Sequence, residues 1–194
     1  MIHHLSGKLV EKSPTHLVIE CNGVGYFVHI SIYTYGKIGS NENVKIYTHL
    51  IVREDAHILY GFINTEERDS FKNLISVSGI GPNTARMILS ALNPADLNAA
   101  IYNEDVQLLK SVKGVGAKSA ERIIVDLKGK TKKDENLLNF SSLQSNTTRD
   151  EALSALISLG FDKSVSSKVV DKVMANSDEN QSVEQIIKES LRLM

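Results

Sequence analysis

A stretch of sequence occurs twice in this chain, displaced by 35 residues. Leu74, Val77, Gly79, Gly81, Ala85 and Ile88 return as Leu109, Val112, Gly114, Gly116, Ala120 and Ile123. Each copy reads as helix, Gly-apolar-Gly, helix. Two glycines one residue apart allow a hairpin too tight for side chains, with positive φ where the turn demands it. The apolar residue between them, Ile80 or Val115, can fold back between the helices. Ala85 and Ala120 are small enough for those helices to pack closely. A repeat in register restricts this segment to paired helical hairpins with bare backbone at each tip.

That geometry carries chemistry. A glycine tip at a helix N-terminus exposes backbone N–H groups where the helix dipole favours negative charge, an anion site suited to one phosphate. Backbone donors read no base edge, so two such tips would grip a nucleic-acid backbone independently of sequence. The pattern is the helix-hairpin-helix motif. The expected DNA contacts are Gly79, Ile80, Gly81, Asn83, Thr84 and Arg86 in the first copy. In the second they are Gly114, Val115, Gly116, Lys118, Ser119 and Arg122. The competing reading is a pair of hairpins used only for packing. Net charge is −1, but its distribution is uneven. Residues 64–133 carry eleven Lys or Arg against eight Asp or Glu, whereas the flanking segments are neutral or acidic. An electrostatic contact with DNA therefore belongs in the middle.

The flanks have different periods. Residues 1–63 read as strands: His4 to Glu11, Leu17 to Ile19, Tyr26 to Ile30, Val44 to Tyr47 and Ile58 to Tyr60 are short and rich in β-branched or aromatic residues. Ser13-Pro14, Asn22-Gly23 and Gly39-Ser40-Asn41 punctuate them. Five strands with no long helix suit a small OB-like barrel, with an SH3-like barrel as the alternative. Residues 64–129 are helical, with helices expected over 66–77, 84–92, 94–102, 105–112 and 118–127. Thr65 is the expected N-cap of the first, and Asn93 before Pro94 is the cap of the third. Residues 130–147 lack apolar periodicity and read as a flexible linker. Residues 148–194 hold three amphipathic stripes, a three-helix unit that Thr148 to Glu151 would open as a capping box. The expected fold class is thus β followed by all-α: barrel, tandem hairpins, linker and a C-terminal three-helix unit.

Other chemistries lack their residues. A phosphate-binding loop needs Gly where Ala117 and Val112 stand. A dinucleotide fingerprint needs Gly where Thr84 or Ser119 stands. Cys21 has no second cysteine, so no zinc pair and no internal disulfide is available, and the expected location is the cytoplasm. His3, His4, His16, His29, His49 and His57 all lie in the strand segment without metal-ligand spacing on a helix. No apolar run approaches the roughly 20 residues of a membrane span. No catalytic residue, metal or cofactor is therefore expected. A DNA glycosylase built on the same hairpins would need a catalytic Asp. Asp126 follows the second hairpin but reads as a solvated helix residue.

From end to end the chain resembles the RuvA family of Holliday-junction-binding subunits. The resemblance rests on the domain order, on Val52-Arg53-Glu54-Asp55-Ala56-His57-Ile58-Leu59-Tyr60-Gly61-Phe62, on Glu67-Arg68 and on the two hairpins. It implies a non-catalytic subunit acting in recombination, DNA repair and the SOS response to damage. Four copies would form a platform, alone or as a face-to-face octamer, each gripping one arm of an open four-way junction. It implies as partners a hexameric ATPase of the RuvB type, which drives branch migration, and a resolvase of the RuvC type. By residues alone Glu54-Asp55 is a polar hairpin tip; the resemblance makes it an acidic pin at the junction centre. The C-terminal unit then resembles the motor-docking domain, with a loop like that of ubiquitin-associated domains at Leu159-Gly160-Phe161. Leu156, Leu159, Phe161 and Leu191 are its candidate contacts. The family often carries Lys where Asn83 and Ala117 stand here, which implies weaker binding with a shallower salt dependence. Two other classes compete: a base-excision or nuclease enzyme, and an adaptor whose barrel stacks single strands on Tyr26, Phe27, Tyr33, Tyr35, Tyr47 and Tyr60, most of which should instead be core.

Overall fold

Alternation of side chains between two faces builds the N-terminal barrel. Its strands are β1 (His4–Lys12), β2 (His16–Cys21), β3 (Val24–Ile30), β4 (Asn43–Val52) and β5 (His57–Phe62). Leu5, Leu17, Ile19, Val28, Ile30, Ile46 and Leu59 fill its interior. The strand order is β1-β2-β3-β5-β4, closed by β1 on β4. β3 and β5 run parallel, and the other pairs are antiparallel. That closed five-stranded order is the OB architecture, and closure leaves no free sheet edge. The computed structural model describes residues 1–39, 41–131, 144–175 and 181–194. One short helix, α1 (Ile32–Lys37), lies between β3 and β4 and had no counterpart in the sequence reading. Ser31 caps it by accepting from the Thr34 N–H.

Five helices follow: α2 (Thr65–Ile75), α3 (Pro82–Ala91), α4 (Pro94–Tyr102), α5 (Val106–Lys110) and α6 (Ala117–Thr131). The expected Thr65 cap is displaced by one residue. Asn64 is the N-cap, its Oδ1 accepting from Glu67 N at 2.9 Å, because Asn64 alone has the extended backbone a cap requires. Asn93 caps α4 as expected, accepting from Asp96 N at 2.9 Å, with Pro94 at the first helical position. The helices form a second core, which the outer face of β5 joins. Tyr60 and Phe62, on the outer face of β5, pack against the fully buried Phe71 of α2, at ring-centroid distances of 5.0 and 4.9 Å.

One carboxyl group fastens the barrel to α2. Glu67 is completely buried and accepts from three donors. They are the Ser31 hydroxyl, the Thr34 hydroxyl (2.5 Å) and the Ile63 N–H (3.2 Å). Both hydroxyls also accept from backbone, Ser31 Oγ from Thr34 N and Thr34 Oγ1 from Ile63 N, each at 3.0 Å. Their protons are therefore committed to Glu67. Burial pushes the Glu67 carboxyl above its ordinary range, and the three hydrogen bonds oppose that shift without cancelling it.

Met1–Asn136 and Leu137–Met194 form two compact units. The second contains α7 (Gln144–Ser158), α8 (Lys163–Ala175) and α9 (Val183–Leu193) around Ala152, Leu156, Val170, Val173 and Ile186. The expected capping box at Thr148 is not formed. Helix α7 begins at Gln144, which puts Thr148 inside it. The capping box of this unit is Ser182 with Gln185, at the start of α9. The segment expected as linker, 130–147, is helical at both margins, and residues 132–143 lie outside those described.

Glu67→Ala removes the acceptor from two buried hydroxyls and a buried N–H. It should cost about 3 kcal/mol in urea denaturation, from unsatisfied donors and lost packing. The pH dependence has a definite sign. A carboxyl whose pKa is raised by folding contributes most below its unfolded pKa and loses that contribution as pH rises through the folded value. Measured against Glu67→Gln, which cannot titrate there, wild-type stability should decline over that window and then level off.

Candidate nucleic-acid interface

The two hairpins form as the repeat demands. Gly79 and Gly114 adopt φ of +89° and +92°, where a Cβ is strained whatever space surrounds it. This reversal sends Ile80 and Val115 into the helical core, at 5% and 6% exposure. Their N–H groups turn inward too, donating to Val77 O and Val112 O at 3.0 Å. Ile80 and Val115, expected among the DNA contacts, are therefore anchors, with side chain and amide both engaged inside the protein.

The outward donors lie just beyond. Helix α3 makes its first bond from Ala85 N to Gly81 O, and α6 from Ala120 N to Gly116 O, both at 2.9 Å. The N–H groups of Asn83 and Thr84 precede the first of these bonds, and those of Ala117, Lys118 and Ser119 precede the second. Pro82 withholds a donor, so the first tip offers fewer amides than the second. Gly81 caps α3 without a side-chain bond. Gly81 and Gly116 need no positive φ, and a Cβ on either would meet nothing within 4 Å. The turn therefore does not require glycine at these two positions. What their lack of a side chain provides is clearance in front of the amides, as a phosphate in close approach requires.

Cations frame the tips unequally. Lys118 is exposed and makes no hydrogen bond or ion pair among the described residues. Lys113, beside Gly114, and Lys110 are also exposed; the sequence reading passed over both, although Lys113 directly precedes a hairpin glycine. The two arginines are engaged elsewhere. Arg86 Nη1 donates to the Thr15 carbonyl in the β1–β2 loop at 3.1 Å, and Arg122 Nη1 donates to the Ser78 carbonyl at 3.2 Å. Arg86 also lies close enough to His29 to help hold its pKa down, after burial, which is the larger cause. Asn83 accepts from the buried Tyr60 hydroxyl at 3.4 Å.

Glu54 and Asp55 form the exposed tip between β4 and β5. Arg53 N donates to Ala56 O at 2.9 Å to close that turn, and Arg53 Nε approaches Asp55 at 3.7 Å. In the second unit, Leu159, Phe161 and Leu191 are 62%, 38% and 41% exposed, but Leu156 is fully buried at the centre of the three helices. Leu156 is a core residue, and only the other three of that set are available at the surface. Of the aromatic residues weighed as a stacking platform, only Tyr60 is buried; Tyr26, Tyr33, Tyr35 and Tyr47 are half-buried and Phe27 is exposed. The expectation that most are core is corrected: Tyr26 and Tyr35 pack against the barrel core only partly buried, and Phe27 and Tyr47 alternate with the inward Val28 and Ile46 and so take the outer face. Among the described residues no group of His, Cys, Asp or Glu could hold a metal ion, and no helix is long and apolar enough to cross a membrane.

Comparison with known proteins gives a consistent picture along the whole length. Residues 1–61 match the RuvA N terminal domain, residues 71–130 a SAM-like helix-hairpin-helix tandem, and residues 147–194 the RuvA C-terminal domain. A protein of Christiangramia forsetii named Holliday junction branch migration complex subunit RuvA is 51% identical, over 99% of each chain. Proteins of the same name from Flavobacterium psychrophilum and Cytophaga hutchinsonii are 52% and 43% identical, over 99% and 100% of each chain respectively.

The roles of the four glycines separate experimentally. Gly79→Ala and Gly114→Ala should each lower stability by about 1–2 kcal/mol through the left-handed backbone. Gly81→Ala and Gly116→Ala should stay within about 1 kcal/mol of wild type. Thermal unfolding of the four variants checks this.

Proposed function

This chain belongs to the RuvA family, and from that premise we propose that it binds four-way junction DNA without sequence specificity, as the DNA-gripping subunit of a branch-migration complex. The observation that carries the reading is the pair of glycine hairpins, each pointing the first-turn amides of a helix across an unobstructed surface. Two such sites on one rigid core suit two phosphates of one duplex arm. Lys118, Lys113 and Lys110 add cationic side chains around the second tip. Fewer lysines than the family pattern, with Asn83 and Ala117 in two of their places, leave more of the grip to backbone dipoles.

The finer parts of the proposal follow. The subunit itself is non-catalytic, and an ATPase of the RuvB type supplies the motor, docking on the exposed Leu159, Phe161 and Leu191 of the second unit. Four copies surround the junction as a homotetramer or a face-to-face octamer, in the cytoplasm, with a RuvC-type resolvase as a further partner in recombination and repair. The working division of the chain is barrel 1–63, hairpins 64–129, linker 130–147 and docking unit 148–194. Glu54 and Asp55 act as an acidic pin. Their charge repels phosphates at the crossover and disfavours a continuous duplex passing over the same surface.

Gel-shift titration with a four-way junction and a matched linear duplex, at two salt concentrations, tests this. Junction binding should be tighter by about tenfold or more, with a salt slope of about −0.9 per phosphate neutralised. Gly81→Asp and Gly116→Asp, at positions where a Cβ meets nothing within 4 Å, should abolish it by placing a carboxylate where phosphate would sit. Equal affinity for both DNAs would defeat the junction-specific reading. Replacing Glu54 and Asp55 together by Ala should strengthen duplex binding more than junction binding.

A further inference from the structure

Arg86 and Arg122 look, by sequence, like the cations of a phosphate site, and their hydrogen bonds point another way. Arg122 leaves α6 and donates to the Ser78 carbonyl, which directly precedes the left-handed Gly79 of the first hairpin. Arg86 leaves α3 and donates to the Thr15 carbonyl, which the barrel already fixes through Ile30 N at 3.0 Å. Helix α3 is tied to the barrel at further points: Ile32 N donates to Ser90 Oγ at 3.1 Å, and the Tyr60 hydroxyl to Asn83. These contacts form a chain from the second hairpin to the first, and from the first to the barrel that carries Glu54 and Asp55.

The repeat supplies an independent argument. Neither arginine belongs to what the two copies share. Arg86 maps onto Glu121, and Arg122 maps back onto Met87. Helix-start amides occur in both copies, whereas each arginine occurs in one. Each sits where two unlike parts of the fold must be held in register, and a planar guanidinium with fixed donor directions suits that task better than an ammonium.

Resting on the junction-binding reading above, we infer that Arg86 and Arg122 are positioning residues that fix the two phosphate sites and the acidic tip relative to one another. Arg122 aligns hairpin two with hairpin one, and Arg86 aligns hairpin one with the barrel. Junction selectivity requires that the sites engage together, so loosening either clamp reduces selectivity without removing a phosphate contact.

The test uses the full chain with Arg86→Lys, Arg122→Lys and the corresponding Ala variants. Thermal unfolding verifies that each is folded; the Lys variants carry the test if an Ala variant is not. Binding to junction and duplex is measured across a salt series. Hydrogen exchange of residues 78–84 is measured without DNA. The junction-over-duplex ratio should fall about tenfold even with Lys, which keeps the charge. The salt slope should be unchanged, whereas Lys118→Ala should make it shallower by about 1. Amide exchange at 78–84 should accelerate in the Arg122 variants. A slope that becomes shallower by about 1 with Ala and is restored by Lys would identify phosphate ligands and overturn the inference. Unchanged ratio, slope and exchange would overturn it as well. A wild type with no junction preference defeats the underlying reading instead, and exchange alone then decides the clamp.

Discussion

Left-handed backbone at Gly79 and Gly114 is the constraint on which the helical region depends. Any residue with a Cβ there would cost about 1–2 kcal/mol. The reversal has three consequences at once. It turns the chain after the preceding helix has ended, drives Ile80 or Val115 into the core, and leads into the first turn of the next helix. Because the residue that anchors the turn sits in the same core as Phe71 and Leu74, each proposed anion site inherits the rigidity of the core. A site built from side chains on a loop would have to order them on binding; here the donors are already fixed.

The barrel and the hairpins could be recognised early because each expresses one strong local rule. Strand alternation sets which residues enter the barrel, and the 35-residue repeat sets where helices meet glycines. What escaped notice follows weaker rules. Helix α1 has six residues and no apolar period. The Asn64 cap beside a credible Thr65 depends on which residue adopts extended backbone, which composition does not decide. The start of α7 at Gln144 overrides a formally correct capping box at Thr148, since a helix can run through such a pair when the preceding residues extend it. Glu67 stands beside Glu66 in the first turn of α2, and no local rule separates the two. Its complete burial comes from the barrel folding back over α2, a contact that no local window contains.

In the candidate interface the hairpin backbone was legible in the sequence, and side-chain direction was not. Glycine spacing encodes amide geometry directly, so Gly79, Gly81, Gly114 and Gly116 sit where the repeat implied. Side-chain direction is a tertiary property. Ile80 and Val115 belong to the motif but face inward, and Leu156 carries the same apolar signature as Leu159 while occupying the centre of its unit. Periodicity finds the stripe and cannot divide it into core and surface. The arginines show the same limit: charge predicts a solvated or phosphate-bound end, whereas a nearby carbonyl, at Thr15 or Ser78, accepts from the guanidinium instead.

Selectivity in this arrangement is a difference between attraction and repulsion, both short in range. Helix-terminal dipoles act within about one turn, and exposed charges are screened over about 8 Å in physiological salt. A chain of net charge −1 gains little from long-range steering. On the proposed reading, a DNA must therefore bring phosphates to both hairpin tips while keeping them clear of Glu54 and Asp55. A continuous duplex lying across the surface satisfies the first condition and violates the second; an open crossover satisfies both. Arg53, at 3.7 Å from Asp55, offsets part of the tip charge and leaves Glu54 the less compensated of the two acids. Discrimination then rests on the distance between tips and pin being fixed, which is why the contacts joining barrel to hairpins matter as much as the phosphate sites themselves.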